Sequence, residues 1–432
     1  MAAFSPSVSA RIREFIRRHW LFLSLIVAVA VVEYLAAKGG APGPAIALVR
    51  NPFAAIAAAS VFCRYFIRDL GGSTRRWIVY LTPLTSVTAL AIEGHAAPPE
   101  LLWLDMLFGL GVLGVLGFVV AASHSTQSKE RADYVGGLMD ALLLPLGASM
   151  VSYGLWATFR LNPVYDPRVY AFEELLGVKV SLWSAQAYGV LTPLSALATS
   201  CYNLVAIAIA VVAAAQRERR REQDVLNAIL ISGAFGFALY FVCPVVGPVV
   251  SFGPYYPQTL PTVSLHPPLL MAIGGAPRNG MPSLHTIWAL LIWFSASGVA
   301  VPVRRALRGF VLLTLWAVLS PEGSHWLIDV VVSVPLAVAI NAAFLSNASE
   351  DPSRRWVTIG ACGLLSVVWL LGLRSGLALD LPPAVAWMAV LGTVCWPLRR
   401  WQASGHCSIE PKPELVPAGG AAHDSTLSRL WA

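Results

Sequence analysis

The sequence predicts an all-α polytopic membrane protein with about twelve transmembrane helices, and three observations lead there. Mean hydropathy is +0.67. Only 12% of the 432 residues are charged, where a soluble domain carries about 25%. Apolar runs long enough to cross a bilayer recur along the chain, and basic residues cluster in the short segments between them. The net charge of +7 therefore reports topology before it reports an anionic partner, and no nucleic-acid partner is expected. The six cysteines are scattered, most inside apolar runs, without a C-x-x-C pair or zinc-like spacing, and read as packing residues.

Spans are expected near residues 20–38, 50–67, 77–94, 101–122, 136–159, 185–214, 226–247, 284–301, 306–320, 325–345, 356–373 and 383–398. The first follows R-I-R-E-F-I-R-R-H-W. Its apolar run exceeds the roughly 7–15 residues of a signal-peptide core, so a retained span is expected. The second holds Arg64 within it and Arg50 at its edge, each of which must snorkel, pair or line a polar cavity. With the N-terminus cytoplasmic, 22 Lys and Arg residues fall in inside segments. Six fall outside: Lys38, Arg160, Arg168, Lys179, Arg278 and Arg374. That bias predicts an inner (plasma) membrane protein with both termini cytoplasmic and the long loops 160–184 and 248–283 on the outer face. The polar tail after Trp401 has no periodic apolar pattern and is expected to be disordered.

The chemistry concentrates between Arg278 and Asp329. His285 in P-S-L-H and His325 in G-S-H-W-L-I-D each stand at the mouth of an apolar segment, at matching depth on the outer side. Asp329 lies four residues after His325, on the same helix face, where it can hold the Nδ1 proton and leave Nε2 bare, as an oriented nucleophile or base. Pro282 and Ser283 open a helix whose N–H groups can meet an anion. Taken alone, Ser283 is more often just a helix cap. Two imidazoles, one neutral and one protonated, suit phosphoryl transfer, and no carboxylate cluster calls for a metal or other cofactor.

P-S-L-H, followed about 40 residues later by G-S-H-W-L-I-D, resembles the second and third signature motifs of the type 2 phosphatidic acid phosphatase superfamily, which includes membrane lipid phosphatases and vanadium haloperoxidases. N-P-V-Y-D-P-R-V-Y-A-F-E-E-L-L-G at 162–177 and Y-F-V-C-P-V-V-G-P at 240–248 are similar to the subgroup of inositol phosphorylceramide synthases and related inositolphosphotransferases. The resemblance covers roughly 136–345. It implies a six-span catalytic core at 136–345; outside it, hydropathy and composition predict a four-span region at 1–135, two spans at 346–398 and a disordered cytoplasmic tail at 399–432. The resemblance further implies His325 as nucleophile, Asp329 as its orienter, His285 as general acid, and Ser283 with the Leu284 backbone as phosphate ligands.

Two departures stand out. No K-x-x-x-x-x-x-R-P precedes the second motif, and Leu319 occupies the position six before His325 where the lipid phosphatases carry part of an S-R pair. Phosphate charge must then be met elsewhere: Arg278 is the first candidate, Lys179 and Arg168 the next. Asp166 and Glu173 suit capping an interfacial helix as well as touching substrate. The loop 248–283, with Tyr255 and Tyr256, is a candidate lid whose aromatics would lie at headgroup level and keep water from the intermediate. The expected substrate is a lipid phosphate, with a lipid alcohol or water as acceptor. A phosphatase for polyprenyl diphosphate or phosphatidic acid is the competing enzyme. A transporter, the competing class outside catalysis, would show two repeated halves, and no repeat is visible.

Overall fold

In the computed structural model the described residues are 8–38, 43–44, 52–67, 102–159, 161–216, 222–253, 256–258, 267–269, 276–296, 299, 301–345 and 351–403. Among them the chain is all-helical, without a β-strand. The helices are α1 (Val8–Lys38), α2 (Pro52–Ile67), α3 (Leu102–His124), α4 (Ser128–Thr158), α5 (Asp166–Leu175), α6 (Val180–Val190), α7 (Thr192–Asn203), α8 (Val205–Ala215) and α9 (Glu222–Tyr240). They continue with α10 (Pro248–Phe252), α11 (Leu284–Ser295), α12 (Val301–Val318), α13 (Leu327–Phe344), α14 (Pro352–Ser375) and α15 (Pro383–Ala403).

Among the described residues six helices are long and apolar enough to cross a membrane: α4, α9, α13, α14, the Leu107–His124 part of α3 and the His19–Lys38 part of α1. The chain is an integral membrane protein. Expected spans correspond to these six, whereas the span at 77–94 lies outside the described residues, as does the tail from 404 onward. The span expected at 185–214 is not one straight helix. Pro193 opens α7 after a break at Leu191, and α7 and α8 meet at Leu204 with a bend of 61°. Pro193 has no N–H and clashes with the preceding turn, so an interruption there is the expected outcome. Arg64 is resolved as a pair: its guanidinium bonds the Glu222 carboxylate at the start of α9.

Burial shows which helix is central. The most apolar stretch of α13 is 78% buried, against 11% for that of α1. An apolar core of α4, α8, α9, α11 and α13 side chains, including Leu143, Ile209, Leu226, Ile287 and Ala337, packs about the C-terminal half of α13. A second core lies at its N-terminal end, where Tyr170, Phe172, Cys243, Val245, Met281 and Trp326 meet Trp369 and Leu373 of α14. This end carries His325, and α5 lies across it outside the spans.

Local chemistry sets the ends of the key helices. Ser283 caps α11, its Oγ accepting the Thr286 N–H at 3.3 Å. Asp351 caps α14 by accepting from Ser353 N at 3.0 Å, with Pro352 at the first helical position. Gly376 ends α14 at φ 88°, a conformation that costs glycine nothing and other residues about 1 kcal/mol or more.

Candidate active site

The N-termini of α11 and α13 converge, which joins the two histidine motifs. His325 is buried, and its Nδ1 lies 2.9 Å from the carbonyl oxygen of Gly280 and 3.3 Å from Asp329 Oδ2. Both partners only accept, so Nδ1 carries the proton and Nε2 keeps its lone pair. Nε2 faces Ser283 Oγ at 3.3 Å. The Asp329 carboxylate also accepts the Trp326 N–H at 2.9 Å, which fixes it against the first turn of α13. Ser333, one turn further, donates to the Asp329 carbonyl at 2.6 Å and accepts the Ser283 N–H at 2.8 Å. One hydroxyl thus locks the two motif helices together.

His285 sits on the first turn of α11, its ring stacked on Tyr202 of α7 at 3.9 Å between centroids and edge-on to Trp288 at 5.6 Å. The bend between α7 and α8 delivers Tyr202 to that place. His285 and His325 lie within electrostatic reach of one another. Leu284 is the first residue of α11, where helix geometry leaves the backbone N–H without an intrahelical acceptor.

The stretch at 162–177 braces this site from behind. Asp166 is buried and accepts three N–H groups: Val246 N at 2.9 Å, Gly247 N at 2.7 Å and Trp326 Nε1 at 3.0 Å. Burial pushes its carboxyl above the usual range, while the bonds from Trp326, Val246 and Gly247 pull it back. Glu173 accepts from Leu327 N, the second residue after His325, at 2.5 Å, and from Ser181 Oγ at 3.2 Å. Burial pushes Glu173 up to about 8, against these two bonds, with Asp329 adding to the rise. Both acids brace the segment that follows His325; neither caps α5, whose N-cap is Tyr165 without a side-chain bond.

The stretch at 240–248 joins by close backbone approach. Gly247 has φ 86°, and a Cβ there would run into the Ser324 carbonyl. Ser324 itself is at φ 51°, with its Oγ accepting Val249 N at 3.1 Å. Gly280 donates its N–H to Val245 O at 2.8 Å, and a Cβ on it would meet Val245 Cγ1 at 2.6 Å. That contact aims the Gly280 carbonyl at His325.

The remaining expected residues lie in other contacts. Arg278 is buried, with Nε donating to Leu161 O at 3.1 Å, Nη1 bonding Ala276 O and its backbone N bonding Thr158 Oγ1 at 2.9 Å. Lys179 pairs with Glu174 at 2.8 Å. Arg168 bonds the carbonyl of Arg374, facing α14. Tyr256 is buried and donates its hydroxyl to Ser181 O at 3.0 Å, against α6. Tyr255 lies outside the described residues. Gly280, Ser333 and Tyr202 were not singled out by sequence. Ser333 alone left a trace, four residues after Asp329 on the same helix face.

Residues 167–343 match the model of the PAP2 superfamily, a segment running from the start of α5 to the end of α13. No curated protein and no solved structure matches the chain. The matched segment holds both histidines, Asp329 and Glu173, so this part of the chain is similar to the PAP2 superfamily, and the match supports a phosphatase-type membrane enzyme.

Proposed function

We propose that the protein cleaves a lipid phosphate ester through a phosphohistidine on His325 and passes the phospho group to a lipid hydroxyl or to water. The observation that carries this reading is the His325 ring, held by Gly280 O and Asp329 on one nitrogen and turned toward Ser283 on the other. Nε2 attacks phosphorus, forming N–P as the P–O bond to the leaving group breaks. His285, protonated, gives its proton to the departing oxygen; in the second half it takes one from the acceptor hydroxyl, which attacks phosphorus and releases His325.

The Leu284 N–H and the Ser283 hydroxyl meet the phosphate oxygens at the N-terminus of α11, where the helix dipole favours an anion. Arg278 is the cation assigned to the remaining charge; its buried position within reach of Asp166 supports a fixed positive site, in a core that lacks the lysine and arginine signature of the lipid phosphatases. The packing of 162–177 and 240–248 onto the catalytic segment supports the inositolphosphotransferase-like reading over a plain polyprenyl diphosphate or phosphatidic acid phosphatase. The basic-residue bias supports an active site on the outer face.

The test incubates purified protein with a panel of lipid phosphates, with and without lipid alcohols, and follows free phosphate and new lipid by mass spectrometry. New lipid that requires the alcohol is expected. His325→Ala is expected to abolish both products while the protein remains folded; near wild-type turnover in that variant would sink the mechanism. Release of free phosphate alone, whatever the alcohol, would favour a hydrolase.

A further inference from the structure

Beyond residue 343, α14 and α15 leave a groove of about 970 Å³ between them, lined by Leu365, Val368, Leu371, Met388, Gly392 and Trp396 among others. Its walls are satisfied: the Trp369 indole donates to Thr393 Oγ1 at 2.7 Å, tying the two helices at the groove floor. Leu371 and Met388 are 50% and 64% exposed, so in a bilayer the groove opens onto acyl chains.

One end of the groove is charged. α13 and α14 are consecutive and antiparallel, with Ser366 of α14 donating to Val332 O near the start of α13, so Arg374 lies on the membrane face that carries His325. Arg374 and Arg168 both lie over the ring of Tyr165, each 5.7 Å from its centroid, and Tyr165 lines the groove mouth. Each arginine gives one nitrogen to backbone carbonyls: Arg168 Nη1 to Arg374 O, and Arg374 Nη1 to Val242 O at 2.6 Å and Phe241 O at 3.4 Å. Among the described residues no carboxylate pairs with either. A guanidinium has five N–H donors, so one nitrogen spent on backbone carbonyls leaves each arginine its charge and further donors. Two such groups beside one aromatic ring, at the headgroup end of an apolar groove, complement a single phosphate with a chain attached.

We propose that this groove binds an anionic phospholipid of the surrounding bilayer, its chain between α14 and α15 and its headgroup phosphate between Arg168 and Arg374. No residue of α11 lines the groove, so the site is separate from the histidine pair and does not depend on which reaction the pair performs. Arg168 is thereby assigned to this lipid and not to the substrate.

The test is native mass spectrometry of the full-length protein equilibrated with equal amounts of phosphatidylglycerol and phosphatidylcholine. Wild type is expected to retain the anionic lipid about tenfold over the zwitterionic one, the order expected of two arginines beside one phosphate, and Arg168→Gln/Arg374→Gln to bring the ratio near one. A wild-type ratio near one, or an undiminished preference in the double variant, overturns the proposal. Gly392→Phe provides a second measurement with both arginines intact. A side chain there meets open space, so the fold tolerates it, and it fills the groove. Retained phosphatidylglycerol is expected to fall severalfold; unchanged retention overturns the site.

Discussion

The indole of Trp326 donates to the carboxylate of Asp166 at 3.0 Å, joining the residue after the candidate nucleophile to a helix 160 positions earlier in the chain. The same carboxylate holds Val246 and Gly247, so one buried acid fixes three segments at the catalytic end of α13.

Asp166→Asn keeps the shape but removes at least one acceptor from three buried N–H groups. A buried donor left without its partner costs about 1–3 kcal/mol. The melting temperature in detergent is expected to fall, with kcat lowered and KM for the lipid phosphate nearly unchanged, because Asp166 is buried and braces the segment that follows His325. A change confined to KM would place Asp166 in the substrate site instead.

Asp329→Asn tests how the His325 tautomer is held. In a triad with a single carboxylate orienter, the same exchange costs about 10⁴ in kcat through the wrong tautomer. Here the Gly280 carbonyl is the nearer partner of Nδ1 and opposes that flip. The loss is therefore expected at about 10²-fold, with folding retained. Single-turnover kinetics check this, and a loss as deep as that of His325→Ala would show that Asp329 alone sets the tautomer.

Gly247→Ala is expected to abolish turnover. The position needs φ 86°, and the added methyl meets the Ser324 carbonyl, backbone that cannot yield without moving His325. Circular dichroism should still show a helical protein, since the spans do not depend on this turn, while thermal stability falls by about 2 kcal/mol or more. Wild-type activity would mean that the turn can rearrange without disturbing the site.

Glu173 gives a pH dependence of stability. Burial raises its folded-state pKa to about 8, from an ordinary value of 4.5. Between these values the folded state keeps a proton that the unfolded state has lost, so its contribution is full below about 4.5 and is lost as pH rises through about 8. Glu173→Gln keeps an acceptor for the Leu327 N–H and cannot ionise. Unfolding midpoints measured from pH 5 to 9 should decline more steeply in wild type than in this variant; parallel curves would assign the decline to other groups.

The sequence by itself determined the class and marked the residues on which the proposed chemistry rests. Hydropathy and sparse charge require a bilayer as solvent. The pairing of His325 with Asp329 was expected on one helix face, but α13 begins at Leu327, so His325 stands just before the Trp326 cap and meets Asp329 across the helix N-terminus. The Ser283 cap follows from P-S-L-H locally. Tertiary structure alone decided the rest, because each remaining contact joins segments whose separation in sequence carries no periodic signal. The Gly280 carbonyl reaches His325 only because Val245 accepts the Gly280 N–H. Tyr202 reaches His285 only through the bend at Leu204, a long-range packing outcome within a stretch whose composition reads as one continuous span. Asp166 and Glu173 are acids on a short interfacial helix, and whether such acids face water, substrate or backbone is set by what lies above them. The second motif helix and the 240–248 turn bury both and supply N–H donors, and burial without those donors would be too costly to persist.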